Sequence, residues 1–379
     1  MEMWRIIKNK MAKEWSLKWN PFNSDKLIAH VDKWKSIQRG GKIQAPVTVT
    51  VDPINACDLS CSWCNADYIL KHNKNMLSKE TLEDIAKFLP EWGTKAVCVA
   101  GGGEPLLNPY TSHFLYQCSL DGVKTGVVTN GTQINKHRDA LKGCSWVGVS
   151  IDSGNSKTYE KLKGKDRFGK VIKNIEGLVN SSENFRLGSS GQGHGVSYKY
   201  LLHPGNVNDV YEATKIAKEI GCRNMHIRPF GDPWNKIGKV KDKFSYSDIQ
   251  EFKEQIVKAR ELEDENFRVF GITHKFDGDF RKKNDFENCY AIFMTGVFMP
   301  PSSNGKFDYG LCCDRRGDEK MTLRNLTDTK EVKDYWGSKE HWNVFDKIDV
   351  NKCPRCTYQP HNIIYEKVIK EDNTTYDFI

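Results

Sequence analysis

The sequence predicts an α/β fold in which a largely parallel sheet is covered by helices, followed by a smaller second domain. Three observations support this prediction. Six strand-like runs alternate with helix-like segments from residue 46 to about residue 265, this alternation then stops, and a turn-rich stretch with several cysteines follows. Successive βα units are typical of parallel sheets with helices outside them, either open or curved into a partial barrel. At 379 residues, the chain is long enough for such a unit and an appended domain.

The individual elements follow from residue preference and periodicity. The six strand-like runs, rich in β-branched and aromatic residues, are PVTVTVDP, KAVCVAG, VKTGVVTNG, WVGVSIDS, GVSYKYLLHP and NMHIRPF. A helix is predicted to begin after the N-cap residue Ser78, with Thr81, Leu82 and Ile85 on its apolar side. The helix that precedes the sixth strand is predicted to stop at Gly221.

The two ends of the chain differ from this regular part. Residues 1–45 interleave five aromatic side chains with ten Lys and Arg residues, which favours an amphipathic helical cap over a nucleic-acid contact. Near the other end, a Pro-Pro-Ser-Ser-Asn-Gly turn between two apolar runs predicts a β-hairpin within residues 289–325. We therefore divide the chain into an N-terminal extension (1–45), a core (46–265) and a C-terminal domain (266–379).

Composition excludes several classes of protein. The 57 Lys and Arg residues outnumber the 49 Asp and Glu residues, and 38% of the residues are hydrophobic, so the chain can form a core and is not disordered. No run approaches the ~18 apolar residues of a membrane helix. The first residues break each short apolar run with a charge, which is not typical of a signal peptide. We expect a cytoplasmic protein without a membrane partner, and the net charge of +8 permits nucleic acid as a partner without requiring it.

The 12 cysteines are either isolated or clustered. Four stand alone beside apolar residues and are predicted to be buried thiols: Cys98, Cys118, Cys144 and Cys222. The other eight form an early group, which is Cys57, Cys61 and Cys64, and a late group, which is Cys289, Cys312, Cys313, Cys353 and Cys356. Clustered thiols in a chain without secretory features indicate metal or iron–sulfur ligation rather than disulfides.

The early group has the spacing C-x3-C-x2-C on a loop directly after the first strand. Three thiolates can hold three irons of a cubane and leave the fourth iron open to another ligand. A structural zinc ion would need a fourth protein ligand, and His72, eight residues after Cys64, would be an unusual one. The spacing therefore favours an iron–sulfur cluster, with zinc as the alternative.

This motif and the next three strand ends resemble, in their order, the radical S-adenosylmethionine superfamily. An aromatic residue, Trp63, precedes the last cysteine, and AGGGEP, VVTNG and VSIDS follow at successive strand ends. The resemblance covers about residues 46–265 and implies a partial (β/α)6 TIM-like barrel. It also implies the cofactor-binding residues, which are Trp63 near the adenine, Gly102, Gly103 and Glu104 at the methionine amine, Asn130 on the third-strand turn, and Ser150 and Asp152 at the sugar hydroxyls.

The chemistry implied by this resemblance is reductive cleavage of S-adenosylmethionine at a 4Fe-4S cluster held by Cys57, Cys61 and Cys64. The resulting 5′-deoxyadenosyl radical abstracts hydrogen from a substrate, while the protein supplies positioning and excludes water. Such a reaction needs an electron donor of the flavodoxin or ferredoxin type.

The late group offers four thiolates, enough to saturate a second cubane with no open iron. The predicted ligands are Cys289, Cys312, Cys353 and Cys356. Adjacent side chains of a strand point to opposite faces, so only one of Cys312 and Cys313 is expected to serve, and we favour Cys312. The arrangement resembles the twitch form of the SPASM domain, which implies one auxiliary 4Fe-4S cluster in a small α+β domain. Structural zinc is the alternative.

From these patterns we predict a radical S-adenosylmethionine enzyme that oxidises or epimerises a small polar metabolite, such as a sugar or an aminocyclitol. The auxiliary cluster would accept an electron and a base would accept a proton, with Lys199 and Arg228 as the preferred catalytic residues. The alternatives are a peptide maturase and an enzyme that modifies a nucleotide or a nucleic-acid base. A zinc-bound nucleic-acid-binding protein is the non-enzyme alternative, but it does not explain the Gly-Gly-Glu-Pro motif.

Overall fold

A sheet of ten strands organises the described part of the chain. The computed structural model describes residues 24–182, 185, 195–232, 234–236, 244–271, 285–353 and 356–370. The strands are β1 Thr48–Val51, β2 Ala96–Val99, β3 Lys124–Thr129, β4 Trp146–Ser150, β5 Gly195–Leu202, β6 Asn224–Pro229, β7 Arg268–Gly271, β8 Val297–Met299, β9 Phe307–Gly310 and β10 Thr322–Leu326. Their spatial order is β10-β9-β8-β1-β2-β3-β4-β5-β6-β7.

The pairing of these strands separates a parallel core from an antiparallel end. Strands β1 to β7 pair in parallel, each with the next. Strand β8 also pairs in parallel with β1, and it continues into β9 and β10 by antiparallel pairing. Strands β8 and β9 form the hairpin predicted from the sequence. The prediction of an α/β fold with a partial TIM-like barrel and a small C-terminal α+β unit is therefore confirmed.

The core contains a seventh parallel strand in addition to the six that were predicted. Strand β7 is four residues long and pairs with β6. Its run Arg-Val-Phe-Gly is too short for hydrophobic alternation to distinguish it from a loop. It lies just beyond the predicted end of the core at residue 265, and the division into domains stays a prediction.

The helices of the described residues connect these strands and cover the C-terminal hairpin. They are α1 Val31–Lys35, α2 Asp67–His72, α3 Lys79–Trp92, α4 Thr111–Leu120, α5 Ile134–Lys142, α6 Ser156–Lys163, α7 Phe168–Asn180, α8 Val210–Glu219, α9 Tyr246–Arg260, α10 Thr329–Tyr335, α11 Lys339–Asp346 and α12 Gln359–Ile364. The predicted N-cap of α3 is present, because the Ser78 hydroxyl accepts a hydrogen bond from the Thr81 amide at 3.1 Å. Among the described residues, no helix is both long and apolar enough to cross a bilayer.

The two faces of the parallel strands bury different kinds of side chain. On one face, Val149, Tyr198 and Ile227 are essentially inaccessible to solvent, as expected for strands covered by helices. The other face lines the barrel interior, which we call the lumen. Glycine at position 148 leaves room there for a long side chain on the neighbouring strand, since an added Cβ would lie 2.2 Å from Cε of Lys199. The sequence therefore provides space in the lumen for a lysine.

The described N-terminal residues pack on the C-terminal region. Trp34 is buried, and its indole nitrogen donates a hydrogen bond to the Leu27 carbonyl at 2.7 Å. The Tyr365 hydroxyl donates to the Ile37 carbonyl at 3.1 Å. The other aromatic residues of the predicted N-terminal cap belong to residues 1–23, which lie outside the described residues.

Candidate active site

The three cysteines of the early group lie on the loop that follows β1, at the carboxyl end of the parallel strands, where ligands of such sheets bind. The loop is fastened to the end of β3 through Asp58. The Asn130 amide donates to an Asp58 carboxylate oxygen at 2.8 Å, and the Thr132 hydroxyl donates to the other oxygen at 2.6 Å. The same Asn130 amide lies 3.8 Å from the sulfur of Cys57. Asn130, predicted to bind the cofactor, therefore contacts the cysteine loop directly.

The end of helix α6 holds the other side of this loop. The Ser60 amide donates to the Lys163 carbonyl at 3.0 Å, and the Ser62 amide donates to the Leu162 carbonyl at 3.1 Å. Gly164 follows with φ of 76°, and an added Cβ there would lie 2.1 Å from the Ser60 hydroxyl. Glycine is required at this position because both the backbone conformation and the space demand it. The loop is thus held in place by backbone bonds from a second element.

The Gly-Gly-Glu segment after β2 packs against the residues just before Cys57. The Gly103 amide donates to the Ile54 carbonyl at 3.1 Å, and the Glu104 amide donates to the Ala56 carbonyl at 2.8 Å. An added Cβ at Gly103 would lie 2.1 Å from the Ala56 oxygen. At Gly102 it would lie 2.9 Å from the amide oxygen of Asn55. In this structure, the two glycines let the strand end approach the cysteine loop itself.

Glu104 is fully buried and joins the ends of β2 and β3. Its carboxylate accepts hydrogen bonds from the Thr129 hydroxyl at 2.5 Å, the Asn130 backbone amide at 2.6 Å and the Leu106 backbone amide at 3.1 Å. Burial raises the pKa of Glu104 to about 7, while these hydrogen bonds oppose the rise. Since both oxygens already accept bonds from the protein, binding of the methionine amine by Glu104 stays a prediction.

Asp152 is likewise bonded within the protein. It has a positive φ of 62°, and its carboxylate forms a buried ion pair with Lys163 and accepts a bond from the Leu201 amide at 2.6 Å. Burial disfavours the charge on Lys163, yet Asp152 and Cys61 together raise its pKa above the ordinary value. Ser150 ends β4 directly opposite Lys199 in the register. Sugar binding by Ser150 and Asp152 therefore stays a prediction.

Sequence reasoning missed Lys163, although a signal for it exists. Tyr159, Leu162 and Lys163 are the buried residues of α6, and Lys163 stands four residues after Tyr159, on the same face of that helix. The ammonium lies 5.8 Å from the ring centroid of Trp63. Trp63 also stacks near His203, with 4.9 Å between ring centroids. Trp63, which is part of the cysteine loop, therefore lies near both a cation and an aromatic ring.

The two predicted catalytic residues come together in the lumen. Lys199 on β5 pairs in register with His226 on β6, and Arg228 lies two residues further along β6, so both side chains leave the same face of the sheet. Burial and, second to it, the Arg228 charge lower the pKa of Lys199 to about 8, against opposing effects of Cys98 and Asp152. The structure therefore places both cations inside the barrel.

The late cysteine group gathers residues from three separate segments. Burial raises the pKa of Cys289 to about 12, and Cys353 adds to the rise. Burial also raises the pKa values of Cys312 and Cys356 well above the ordinary value, with contributions from Asp314 and from the other thiols of the group. Cys289 contributes to both of these shifts, so the four predicted ligands lie within electrostatic range of one another.

Cys313 has a different environment from that of its neighbour Cys312. Burial raises the pKa of Cys313 to about 12, whereas Arg316 and a hydrogen bond with Tyr358 lower it. After burial, the main contributions to the pKa shift of Cys313 come from Asp314, Arg316, Tyr358 and Asp52 rather than from the other thiols. The two adjacent thiols therefore face different surroundings, as their positions along an extended segment require.

The chemistry of both thiol groups fits iron–sulfur clusters. Burial raises the pKa values of Cys57, Cys61 and Cys64, so these thiols need a nearby cation to bind as thiolates. Within the described residues, no three His, Cys, Asp or Glu side chains converge around a point that a single metal ion could fill. The early group would hold a cluster by three thiolates and leave one iron for a further ligand, and the late group would hold one by four.

A buried ion pair connects the two cysteine regions. Arg316, three residues after Cys313, donates to the two carboxylate oxygens of Asp52 at 2.5 and 3.1 Å. Asp52 follows β1 and precedes Cys57 by five residues. The indole nitrogen of Trp234 donates to the Tyr68 hydroxyl and to the Arg316 carbonyl, each at 3.0 Å. No sequence pattern relates these residues, so the sequence analysis missed this junction.

The fold and the site together define a protein whose parallel α/β barrel carries a three-cysteine loop at its mouth. Residues 51–187 match the Radical SAM superfamily. The matched residues contain the motifs whose order resembles that superfamily, so the predicted resemblance to radical SAM enzymes is confirmed over this part of the chain.

Three proteins are similar to this chain, two in sequence and one in fold. The chain is 29% identical over 129 residues to the GTP 3′,8-cyclase of Psychromonas ingrahamii, covering 33% of this chain and 38% of that one. It is 35% identical over 119 residues to an S-adenosylmethionine-dependent nucleotide dehydratase of Flammeovirga pacifica, covering 29% and 39%. These matches span well under half the length of each relative. The structure of Streptococcus suis SuiB bound to the precursor peptide SuiA has a TM-score of 0.62 and 17% identity, covering 94% of this chain and 80% of that chain.

Proposed function

We propose that this chain uses a cluster held by Cys57, Cys61 and Cys64 to cleave S-adenosylmethionine and to start radical chemistry on a substrate in the lumen. With the cluster and S-adenosylmethionine bound, the chemistry supplied is a 5′-deoxyadenosyl radical that takes a hydrogen atom from the substrate. The observation that carries the proposal is the position of the cysteine loop. Bonds from Asn130 and Lys163 hold it at the end of the barrel into which Lys199 and Arg228 project.

The protein's own part in this reaction is to bind, orient and exclude water. Gly103 and Glu104 hold the start of the cysteine loop through backbone bonds, while Trp63 and Lys163 form one wall beside it. Such supporting contacts fix the geometry of the groups they hold. Burial and the Arg228 charge lower the pKa of Lys199 to about 8, so part of the lysine is a neutral amine near neutral pH, and this amine can accept a proton.

We further propose that Cys289, Cys312, Cys353 and Cys356 hold an auxiliary 4Fe-4S cluster. A fully ligated cluster moves electrons rather than binding substrate, so it suits an oxidation in which an electron leaves the substrate radical. The junction of Asp52 with Arg316 supports this role, because it fixes the late group against the mouth of the barrel. A flavodoxin or ferredoxin in the cytoplasm would supply the electron for S-adenosylmethionine cleavage.

For the substrate, we propose a small polar metabolite, of which a sugar or aminocyclitol is one form. A nucleotide is the second candidate, because two similar proteins are named as a GTP cyclase and a nucleotide dehydratase and the lumen holds two cations. A peptide is the third candidate, because SuiB, which has a similar fold, binds a precursor peptide.

The experiment that tests the proposal counts iron, sulfide and zinc per chain after anaerobic reconstitution. Wild type should hold about eight irons and the Cys57/Cys61/Cys64→Ala variant about four, with loss of 5′-deoxyadenosine release. The control is Cys144→Ala, which removes a buried thiol outside both groups and should keep all the iron. About four irons with one zinc would remove the electron-accepting role of the late group. Zinc without iron would overturn the proposal and favour a binding protein.

A further inference from the structure

We propose that Lys199 and Arg228 form a binding site in the lumen for an oxyanion of the substrate, either a phosphate or a carboxylate group. The proposal deepens the proposed function and rests on it, because it assigns a chemical class to the molecule on which the radical acts. It requires that the two cations lie together, that no described residue neutralises them, and that the site is separate from the cysteine loop.

The two cations lie together because of strand register. Lys199 pairs with His226, and Leu201 pairs with Arg228. Lys199 and Arg228 therefore occupy the same face of neighbouring strands, offset by two residues along the strand direction. Arg228 contributes to the lowered pKa of Lys199, which shows that the two charges act on each other. Gly148 on β4 leaves the space that the stem of Lys199 fills. The sheet is built to accommodate this pair.

No carboxylate of the described residues neutralises the pair. Neither Lys199 nor Arg228 makes a hydrogen bond or an ion pair with another described residue, and the ammonium only approaches the Trp146 ring, at 5.8 Å from its centroid. Two acids of this part of the fold have cationic partners, although Asp152 also interacts electrostatically with Lys199. Asp152 is paired with Lys163, and Asp52 is paired with Arg316. Within the described part of the chain, neither charge therefore has a carboxylate in direct contact.

Like charges held close together in a half-buried site are costly, and a bound oxyanion would reduce that cost. Two like charges in a poorly solvated site destabilise each other and lose hydration. A phosphate or carboxylate would accept charge-assisted hydrogen bonds from both, with the planar guanidinium of arginine suited to two parallel bonds and the ammonium to one. The basic pair is thus matched to an anionic group rather than to the neutral hydroxyls of an unmodified sugar.

The carboxylate of S-adenosylmethionine is the other possible source of the oxyanion. The electrostatic neighbours of Lys199 are Arg228, Cys98 and Asp152, and none of them belongs to the cysteine loop. By contrast, Lys163 interacts electrostatically with Cys61 and lies against Trp63. Lys163 is therefore the cation of the cysteine loop, and we assign the pair in the lumen to the substrate.

The test measures binding of inorganic phosphate and of S-adenosylmethionine separately, by calorimetry on the reconstituted chain. Phosphate should bind wild type, and its Kd should rise at least tenfold in Lys199→Met and in Arg228→Gln. The Kd of S-adenosylmethionine should stay within twofold in both variants. The matched control is Lys124→Met, which removes an exposed lysine at the start of β3 and should leave both Kd values within twofold.

A second measurement separates an anion site from a structural role. Methionine keeps the apolar stem of Lys199 but removes the unpaired charge, so Lys199→Met should unfold at a higher temperature than wild type in phosphate-free buffer. Added phosphate should raise the unfolding temperature of wild type and not that of the variant. A structural lysine would give the opposite result in phosphate-free buffer.

The outcomes that overturn the proposal are distinct from those that overturn the proposed function. The site is refuted if wild type does not bind phosphate or if the variants bind phosphate as tightly as wild type. It is also refuted if the substitutions weaken the binding of S-adenosylmethionine tenfold and leave the binding of phosphate unchanged. Failure of the proposed function would appear in the iron count and in 5′-deoxyadenosine release, neither of which depends on phosphate. Iron content measured in each variant keeps the two results apart.

Discussion

The two cysteine groups of this chain are assembled in opposite ways. The early group occupies eight consecutive residues of one loop, 57–64, so its three thiols are neighbours in any fold that forms the loop. The four predicted ligands of the late group are residues 289, 312, 353 and 356, which come together only after the hairpin of β8 and β9 and the following helices have packed. The difference shows that one site depends on local sequence and the other on tertiary structure.

The two cysteine groups also differ in the kind of contact that surrounds them. Polar contacts hold the early loop, chiefly those of Asn130, Asp58 and Lys163. The late region is built around packed rings, with Phe293 lying 4.3 Å from His341 and 4.4 Å from Trp342 between ring centroids. The early region should therefore respond to substitutions of individual hydrogen-bonding residues, and the late region to anything that disturbs packing.

The largest expected effect distinguishes the adjacent cysteines of the late group. Cys312→Ser should lose the auxiliary cluster and about four irons, because the pKa shift of Cys312 reflects the neighbouring thiols of Cys289 and Cys356. Cys313→Ser should keep about eight irons, because its thiol contacts Tyr358 instead. Iron and sulfide analysis of the two variants, prepared in parallel, measures this. Equal loss in both variants would show that Cys313 also serves as a ligand.

The next effect concerns the ion pair that joins the two regions. Asp52→Asn should lower the free energy of unfolding by about 3 kcal/mol, since it leaves the largely buried Arg316 without its partner. The matched control is Lys306→Met, which breaks an exposed ion pair with Asp84 between the same two regions and should cost less than about 1 kcal/mol. Urea unfolding of both variants measures the difference. Equal costs would mean that the buried pair contributes no more than a surface pair.

The smallest effect is the pH dependence of the late region. Burial lowers the pKa of His341 to about 3, so below its ordinary value of 6.5 only the unfolded chain takes up this proton. The free energy of unfolding should therefore fall as the pH falls, by up to about 2 kcal/mol between pH 6.5 and pH 5. His341→Phe should reduce this loss in urea unfolding measured across that range. An identical pH profile for variant and wild type would show that His341 titrates normally.

The part of the site that the sequence predicted is the part with local signals. Spacing placed Cys57, Cys61 and Cys64 on one loop, and the order of strand-end motifs placed Glu104 and Asn130 beside it. What the sequence did not indicate is how these residues contact one another. The carboxylate of Glu104 accepts bonds from the end of β3, and the partner of Asp152 is a lysine on a helix with no motif.

The sequence by itself determined the alternation of strands and helices, the early cysteine loop and the hairpin, because hydrophobic period, turn residues and close spacing act over a few neighbouring residues. Only the tertiary structure decided the pairing of Asp52 with Arg316, the neighbours of Cys312 and the meeting of Lys199 with Arg228. These contacts join distant segments, and the free energy that selects them comes from packing and charge in the folded chain. No local pattern records it.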